Sequence, residues 1–232
     1  MEPRIRDLEG VLALLDALLA PTDGAWWDSF YADRTREIPF FVDKPDEHLA
    51  EAIEHGVVRP GRALDLGCGP GRNALHLVSR GFRVDAVDLS AAAIAWARER
   101  AAAAGVGVGW QVADVFTAQL AGPYDLVVDS GCFHHLAPHR RLDYLQLLQR
   151  VLAPGGLLCL TCFTTDGGVA GPDIELYRSG LRTGGIGYSA ADLRWIFDGY
   201  TEVELRPMQA HGPDSQLFGA PFLWAALLRR SA

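Results

Sequence analysis

The stretch Asp65-Leu66-Gly67-Cys68-Gly69-Pro70-Gly71-Arg72-Asn73 decides how this chain folds. A short apolar run, Ala63 to Leu66, leads into it, and Asn73 to Arg80 continues as a helix with Gly81 as its left-handed stop. Glycines between a strand and a helix let the backbone turn sharply and approach a ligand closely. The next apolar strand, Phe82 to Val87, ends on Asp88, where a carboxylate can accept from both hydroxyls of a ribose. The spacing is Gly-x-Gly-x-Gly, not the Gly-x-Gly-x-x-Gly of dinucleotide sites. Asp65 stands just before the loop, where a carboxylate repels a pyrophosphate but attracts an ammonium, directly or through water.

Working outward, strands and helices alternate. Ser90 caps a helix over Ala91 to Ala104 that Gly105 closes. Val108 to Val112 and Tyr124 to Val128 read as the third and fourth strands. Leu142, Leu145, Leu148 and Leu152 give an amphipathic helix over His139 to Leu152. Pro154-Gly155-Gly156 ends it ahead of a fifth strand, Leu157 to Phe163. Such alternation predicts an α/β fold whose parallel sheet is covered by helices on both faces. In the tail, Ser189 and Asp192 form a capping box before Leu193, Ile196 and Phe197. Val203 to Leu205 and Phe222 to Leu228 leave no room for a helix between them, so this pair is expected to be antiparallel. Ahead of the sheet, Leu8, Val11, Leu12, Leu15 and Leu19 recur at helical spacing until Pro21, and Trp26, Trp27, Phe30, Tyr31, Phe40 and Phe41 follow. The division drawn from this is a helical, aromatic lid over 1–51 and a sheet domain over 52–232.

The bulk numbers narrow the function. The 232 residues, 49% hydrophobic, suit one domain with a modest cap. A net charge of -8, from 21 Lys and Arg against 29 Asp and Glu, lacks the basic footprint of a phosphate-backbone binder, so no nucleic-acid partner is expected. Val11 to Ala20 is interrupted by Asp16 and too short to span a bilayer, so no membrane partner is expected either. Four cysteines do not make a disulfide framework, and the chain reads as cytoplasmic. Cys159 and Cys162 lie three apart on a strand, which turns them to opposite faces and opposes a redox pair or zinc knuckle.

Asp65 to Asn73 resembles motif I of the class I S-adenosylmethionine-dependent methyltransferases. The run from Ala63 through Asn73, with Gly81-Phe-Arg-Val-Asp-Ala-Val-Asp88, is similar to their tellurite-resistance and thiopurine methyltransferase-like branch. The lead-in from Trp27 to Phe40 also resembles small-thiol methyltransferases. The resemblance implies a Rossmann-like sheet of seven strands, mostly parallel, with the last pair antiparallel. It implies a small-molecule acceptor and S-adenosyl-L-methionine as cofactor, held around Asp65, Gly67, Cys68, Gly69, Gly71 and Asn73. By the same likeness Asp88 holds the ribose, Leu89 lies against adenine, Asp114 accepts from the adenine amine, and the Val115 amide faces the ring. Asp129, Ser130 and Phe133 after strand four are expected to contact the cofactor, with Trp27, Tyr31 and Phe40 enclosing the site as a lid.

Strand four opens onto His134 and His135, either of which could take a proton from an acceptor, since imidazole titrates near neutrality. With His139 they could suggest a metal, but no carboxylate group accompanies them at ligand spacing and none is expected. Cys132 reads as a small buried thiol. Arg34 and Arg36 could greet an anionic acceptor, and the glycine-rich span from Thr164 to Tyr188 is expected to border the pocket as an irregular loop. Two rivals remain open at this stage, a nicotinamide-nucleotide-dependent oxidoreductase and a non-catalytic S-adenosylmethionine-binding protein. The accepting atom (O, S, Se or N) and the oligomeric state are not legible.

Overall fold

Seven strands carry the architecture: β1 (Arg62–Leu66), β2 (Arg83–Asp88), β3 (Gly109–Val112), β4 (Tyr124–Ser130), β5 (Leu152–Phe163), β6 (Tyr200–Pro207) and β7 (Leu223–Arg230). In the computed structural model, which describes residues 5–19, 23–180 and 184–231, they form one sheet in the order β3-β2-β1-β4-β5-β7-β6. The first five pair in parallel, and β7 runs antiparallel between β5 and β6. Parallel neighbours need a crossover, and the chain supplies helices from its 3.6-residue patterns. After α1 (Leu8–Leu19), α2 (Gly24–Ala32) and α3 (Glu47–Glu54), which precede the sheet in the chain, these are α4 (Arg72–Ser79), α5 (Ala91–Ala104) and α6 (Arg141–Val151). The Rossmann-like fold expected from the sequence is the one observed.

Local chemistry explains the boundaries. The Ser90 hydroxyl accepts from the Ala93 amide, and Gly105 ends α5 at φ 67°. The capping box is complete: Ser189 Oγ accepts from the Asp192 amide, and the Asp192 carboxylate accepts from the Ser189 amide, opening α8 (Ala190–Ile196). Alternate strand residues feed two core layers. Leu64, Val127, Leu158 and Cys162 pack on one face of the sheet, and Ala63, Leu126, Leu157 and Cys159 on the other. The two cysteines are thus separated by the sheet itself, as their spacing required.

Four boundaries differ from the sequence expectation. Residues 138–140 form a separate 3-10 turn, so α6 starts at Arg141. Pro154-Gly155-Gly156 does not divide helix from strand. β5 has already paired at Leu152 with Tyr124, and a register shift takes up the turn residues. The span from Thr164 to Tyr188 is not irregular throughout, because it contains α7 (Asp173–Ser179) and is tied at its ends by a Thr164–Tyr188 bridge. Finally, the division at 51/52 falls inside α3 (Glu47–Glu54), whose Leu49 and Ala52 are buried in the sheet core. That helix belongs with the sheet, because its apolar face has nowhere else to go. The segment ahead of it, read from the sequence as a lid, comprises α1 (Leu8–Leu19) and α2 (Gly24–Ala32) with the aromatic segment behind them. Pro21, read as the stop of the first helix, lies outside the described residues, as do 181–183 of the long connection. Among the described residues no helix is long and apolar enough to cross a membrane.

Candidate active site

A cavity of about 690 Å³ opens over the carboxyl ends of β1, β2, β4 and β5, within the ~300–1,000 Å³ typical of small-molecule sites. Of the residues singled out in the sequence, Asp65, Gly67, Cys68, Gly69, Asn73, Asp88, Leu89, Asp114, Val115, Ser130, His134 and His135 line it, with Trp27, Tyr31 and Phe40 from the lid side. Gly71, Asp129 and Phe133 do not.

The glycine loop explains part of this. Gly69 sits at φ 51°, and a Cβ there would lie 3.0 Å from the Tyr31 hydroxyl, so the lid rests directly on the loop. Gly71, at φ 79°, does not line the cavity and is closely packed: a Cβ would lie 2.6 Å from the Trp110 ring and 3.2 Å from Ala97. Gly71→Val is expected to cost about 2–5 kcal/mol, from the left-handed backbone and the overpacking together, as a fall in the urea midpoint. A midpoint within experimental error of the wild type would show that Trp110 yields freely.

Asp88 at the end of β2 is oriented by the backbone. Its carboxylate accepts from the Gly69 amide and the Ser90 amide, each at 2.8 Å. A carboxylate has about four lone-pair sites, so both oxygens retain capacity toward the cavity. Burial raises its pKa, with the two amide bonds opposing. Next to it Leu89 is 37% exposed and forms an apolar bed. Asp114 is fixed by accepting from the Phe116 amide at 2.8 Å. Across the loop, Asp65 is 1% exposed, and its Oδ2 has no protein partner. Burial pushes its pKa up to about 8, against the pull of Arg72. An orphaned, cavity-lining carboxyl of this kind calls for a cationic ligand group.

Asp129 and Phe133 hold the loop after β4 from behind. The Asp129 carboxylate, fully buried, accepts from the amides of Gly131, Cys132 and Phe133 and from the Tyr144 hydroxyl at 2.8 Å. Phe133 is fully buried against Tyr144, Tyr188 and Phe197. Neither side chain lines the cavity as expected: Asp129 and Phe133 support from beneath the loop whose Gly131 and Cys132 do. Ser130, by contrast, reaches the cavity, and its hydroxyl accepts from Arg72 at 2.7 Å. Cys132 also lines the cavity, but burial holds its thiol well above the ordinary range, leaving a poor nucleophile.

The two histidines sit side by side, ring centroids 4.4 Å apart. His134 stacks on Phe163 at 3.9 Å and is backed by Gly185, while its carbonyl accepts from the Ile186 amide at 2.7 Å. Its Nδ1 is buried without a partner. His135 meets the lid edge-on at Trp27, 4.9 Å away. Burial drives the His134 pKa well below its usual value and the His135 pKa to about 4, so both rings are neutral at pH 7. The Thr164 to Tyr188 connection therefore does not line the cavity among its described residues. It buttresses His134 instead. His139 is engaged elsewhere, between Asp16 at 2.9 Å and Tyr177 at 2.7 Å. Arg34 and Arg36 do not reach the cavity: Arg34 pairs with Glu99 beside Trp96, and Arg36 lies over Phe30.

Sequence reading missed Asp46. It stands at the N-cap of α3 without capping it. Its carboxylate, 1% exposed, turns inward and accepts from Arg72 at 2.7 Å, Asn73 at 3.0 Å and Thr161 at 3.1 Å. Asn73 is used at both ends, since its Oδ1 accepts from the Asp46 amide, so it braces Asp46 while lining the cavity. Burial disfavours the Asp46 charge, but Arg72 outweighs it and holds the carboxyl below the usual range. The lid is tied down similarly: Asp28 accepts from Ser90 Oγ and the Ala92 amide, and Asp16 on α1 pairs with Arg140 at the cavity rim. A Pro-Asp at the foot of an aromatic run was the only signal for Asp46, and it reads equally well as a turn.

The chain matches the family model of the methyltransferase domain over residues 63–156. It is 34% identical over 140 residues to the 2-heptyl-1-hydroxyquinolin-4(1H)-one methyltransferase of Mycobacteroides abscessus, covering 59% of this chain and 60% of that protein. The chain therefore spans about three fifths of that relative's length. It is also 30% identical over 102 residues to an uncharacterized methyltransferase of Schizosaccharomyces pombe, 44% of this chain and 70% of the relative. Among solved structures, one described under the conversion of a disulfide bond into a thioacetal group in echinomycin biosynthesis aligns at a TM-score of 0.70. The alignment is 25% identical and covers 90% of this chain and 91% of the other. Glycine loop, strand-end acids, sheet order and relatives agree: the chain belongs to the class I S-adenosylmethionine-dependent methyltransferases.

Proposed function

We propose that this protein transfers a methyl group from S-adenosyl-L-methionine to a small-molecule acceptor at an O, S, Se or N atom. The observation that carries this is the pair of acids on either side of the glycine loop. Asp88 offers aligned lone pairs to a ribose, and Asp65 presents a buried carboxyl with an unpartnered Oδ2 to an ammonium. A pyrophosphate would gain no counterion from Asp65, which is protonated near neutrality, and this disfavours a nicotinamide nucleotide. When bound, the cofactor supplies a sulfonium methyl, and the acceptor's lone pair forms the new bond as the carbon–sulfur electron pair returns to sulfur.

The chain's own work is alignment, which can contribute ~7–11 kcal/mol to such a reaction. Leu89, Asp114 and the Val115 amide hold the adenine. Trp27, Tyr31 and Phe40 exclude water as the lid, the segment ahead of α3 acting as a cap on the sheet domain. His134 and His135 are neutral and so free to accept the proton an acceptor sheds, as weak bases that pass it on to water. The net charge of -8 supports a small acceptor over nucleic acid, and four free cysteines fit a reducing compartment such as the cytoplasm.

The test is transfer of label from methyl-labelled S-adenosylmethionine to a panel of phenols, thiols and amines. His134→Asn and His135→Asn are each expected to slow transfer to hydroxyl acceptors, the more important of the two by about 10²-fold. Because both imidazoles are already neutral, kcat/KM should stay level from pH 8 down to about pH 5 as far as these groups decide it. Labelled product at equal rates from both variants and wild type would remove the histidines from the mechanism, and no product from any acceptor class would favour a non-catalytic binder.

A further inference from the structure

The cavity has two halves. The half over β1 and β2 carries Asp65, Asp88 and Leu89, and the half over β4, β5 and β7 has a different character. There the rings of Trp27, His135, His134, Phe163 and Phe222 follow one another in a continuous row, with centroid separations of 4.9, 4.4, 3.9 and 6.2 Å. The row runs from the lid, across the end of β4, to the start of β7. All five residues line the cavity.

The charged side chains along the same half are taken up by one another. Arg72 enters it already paired with Asp46, its guanidinium 4.4 Å over the Phe218 ring. At the rim Arg140 is taken up by Asp16 and Asp143. Among the described residues that line this half, no cation or carboxylate is left free to pair with a charged guest. A charged acceptor would lose its hydration and gain no counterion, whereas a flat ring keeps offset or edge-on contacts with the row.

We infer that the acceptor half is built for a flat, uncharged aromatic molecule, lying along this ring row with its hydroxyl toward the His134–His135 pair. This rests on the methyltransferase reading and names the substrate class for it. In the transfer, the acceptor's O–H proton passes to an imidazole nitrogen, the oxygen lone pair forms the O–CH₃ bond, and the leaving electron pair stays on the cofactor's sulfur.

The test is calorimetric binding to the protein saturated with S-adenosylhomocysteine, using 2-naphthol as the neutral probe. The charged probes are 6-hydroxy-2-naphthoate and 1-methylquinolinium, and hexanethiol is the flexible apolar one. Binding of 2-naphthol at least tenfold tighter than each of the other three is expected, weakened at least tenfold in Phe163→Ala with S-adenosylhomocysteine affinity unchanged. Equal or tighter binding of a charged probe or of hexanethiol would overturn the inference, as would no binding of any aromatic probe to the loaded protein. Failure of S-adenosylhomocysteine itself to bind would instead bring down the underlying methyltransferase reading.

Discussion

Asp88→Ala is expected to weaken S-adenosylhomocysteine binding by roughly a hundredfold or more while leaving a folded protein. Two hydrogen bonds to a charged acceptor, at ~1.5–3 kcal/mol each, set this scale. The carboxylate is effective because it is aligned in advance: the Gly69 and Ser90 amides fix its plane before any ligand arrives. Truncation also frees those two amides, so the glycine loop loosens along with the ribose contact. Asp88→Asn separates the effects, because one oxygen remains to accept from the loop while the other position becomes a donor. Its affinity should fall between those of Asp88→Ala and the wild type. Circular dichroism confirms folding, and calorimetry gives the affinity. An Asp88→Ala protein that binds S-adenosylhomocysteine as well as wild type would remove Asp88 from the site.

The largest loss of stability is expected at Asp46. Asp46→Ala leaves the Arg72 guanidinium, 8% exposed, without its counterion, and leaves Asn73 and Thr161 each missing an acceptor. Breaking one side of a buried ion pair costs about 3–5 kcal/mol, read as a lower urea midpoint. The double variant Asp46→Leu with Arg72→Met removes both charges and should recover much of that loss. The carboxyl is held below its usual pKa by Arg72, so its contribution is complete above the ordinary carboxylate range. It is lost as pH falls through the lowered folded value. Acid unfolding of Asp46→Ala should therefore be shallower than that of the wild type. A loss under 1 kcal/mol in the single variant would show that Arg72 finds another partner.

The sheet was legible because its signals are local. Asp65 to Asn73, the Ser90 cap, Gly105 and the Ser189–Asp192 box each lie within a few residues of the bonds they make. The cofactor half was legible for the same reason, since Asp88 and Asp114 close strands whose ends point one way. Asp46 was not, because its partners Arg72 and Thr161 are 26 and 115 residues away. Asp129 and Phe133 stand beside the site, but their side chains are buried behind the loop and not at the cavity wall. A loop after a strand announces proximity, but which side chains turn toward the core depends on Tyr144, Tyr188 and Phe197 from other elements. The close packing of Gly71 against Trp110 on β3 was hidden for the same reason.

The most direct measurement is calorimetric titration of the wild-type protein with S-adenosylhomocysteine, run at pH 7 in buffers of different ionisation enthalpy, with NAD alongside. Asp65, held near pKa 8 and so protonated at pH 7, ionises when an ammonium arrives. Saturable one-to-one binding with release of about one proton is expected, the release fading above pH 9, and no saturable binding of NAD. Saturation by NAD with none by S-adenosylhomocysteine would contradict the cofactor assignment and bring the oxidoreductase forward.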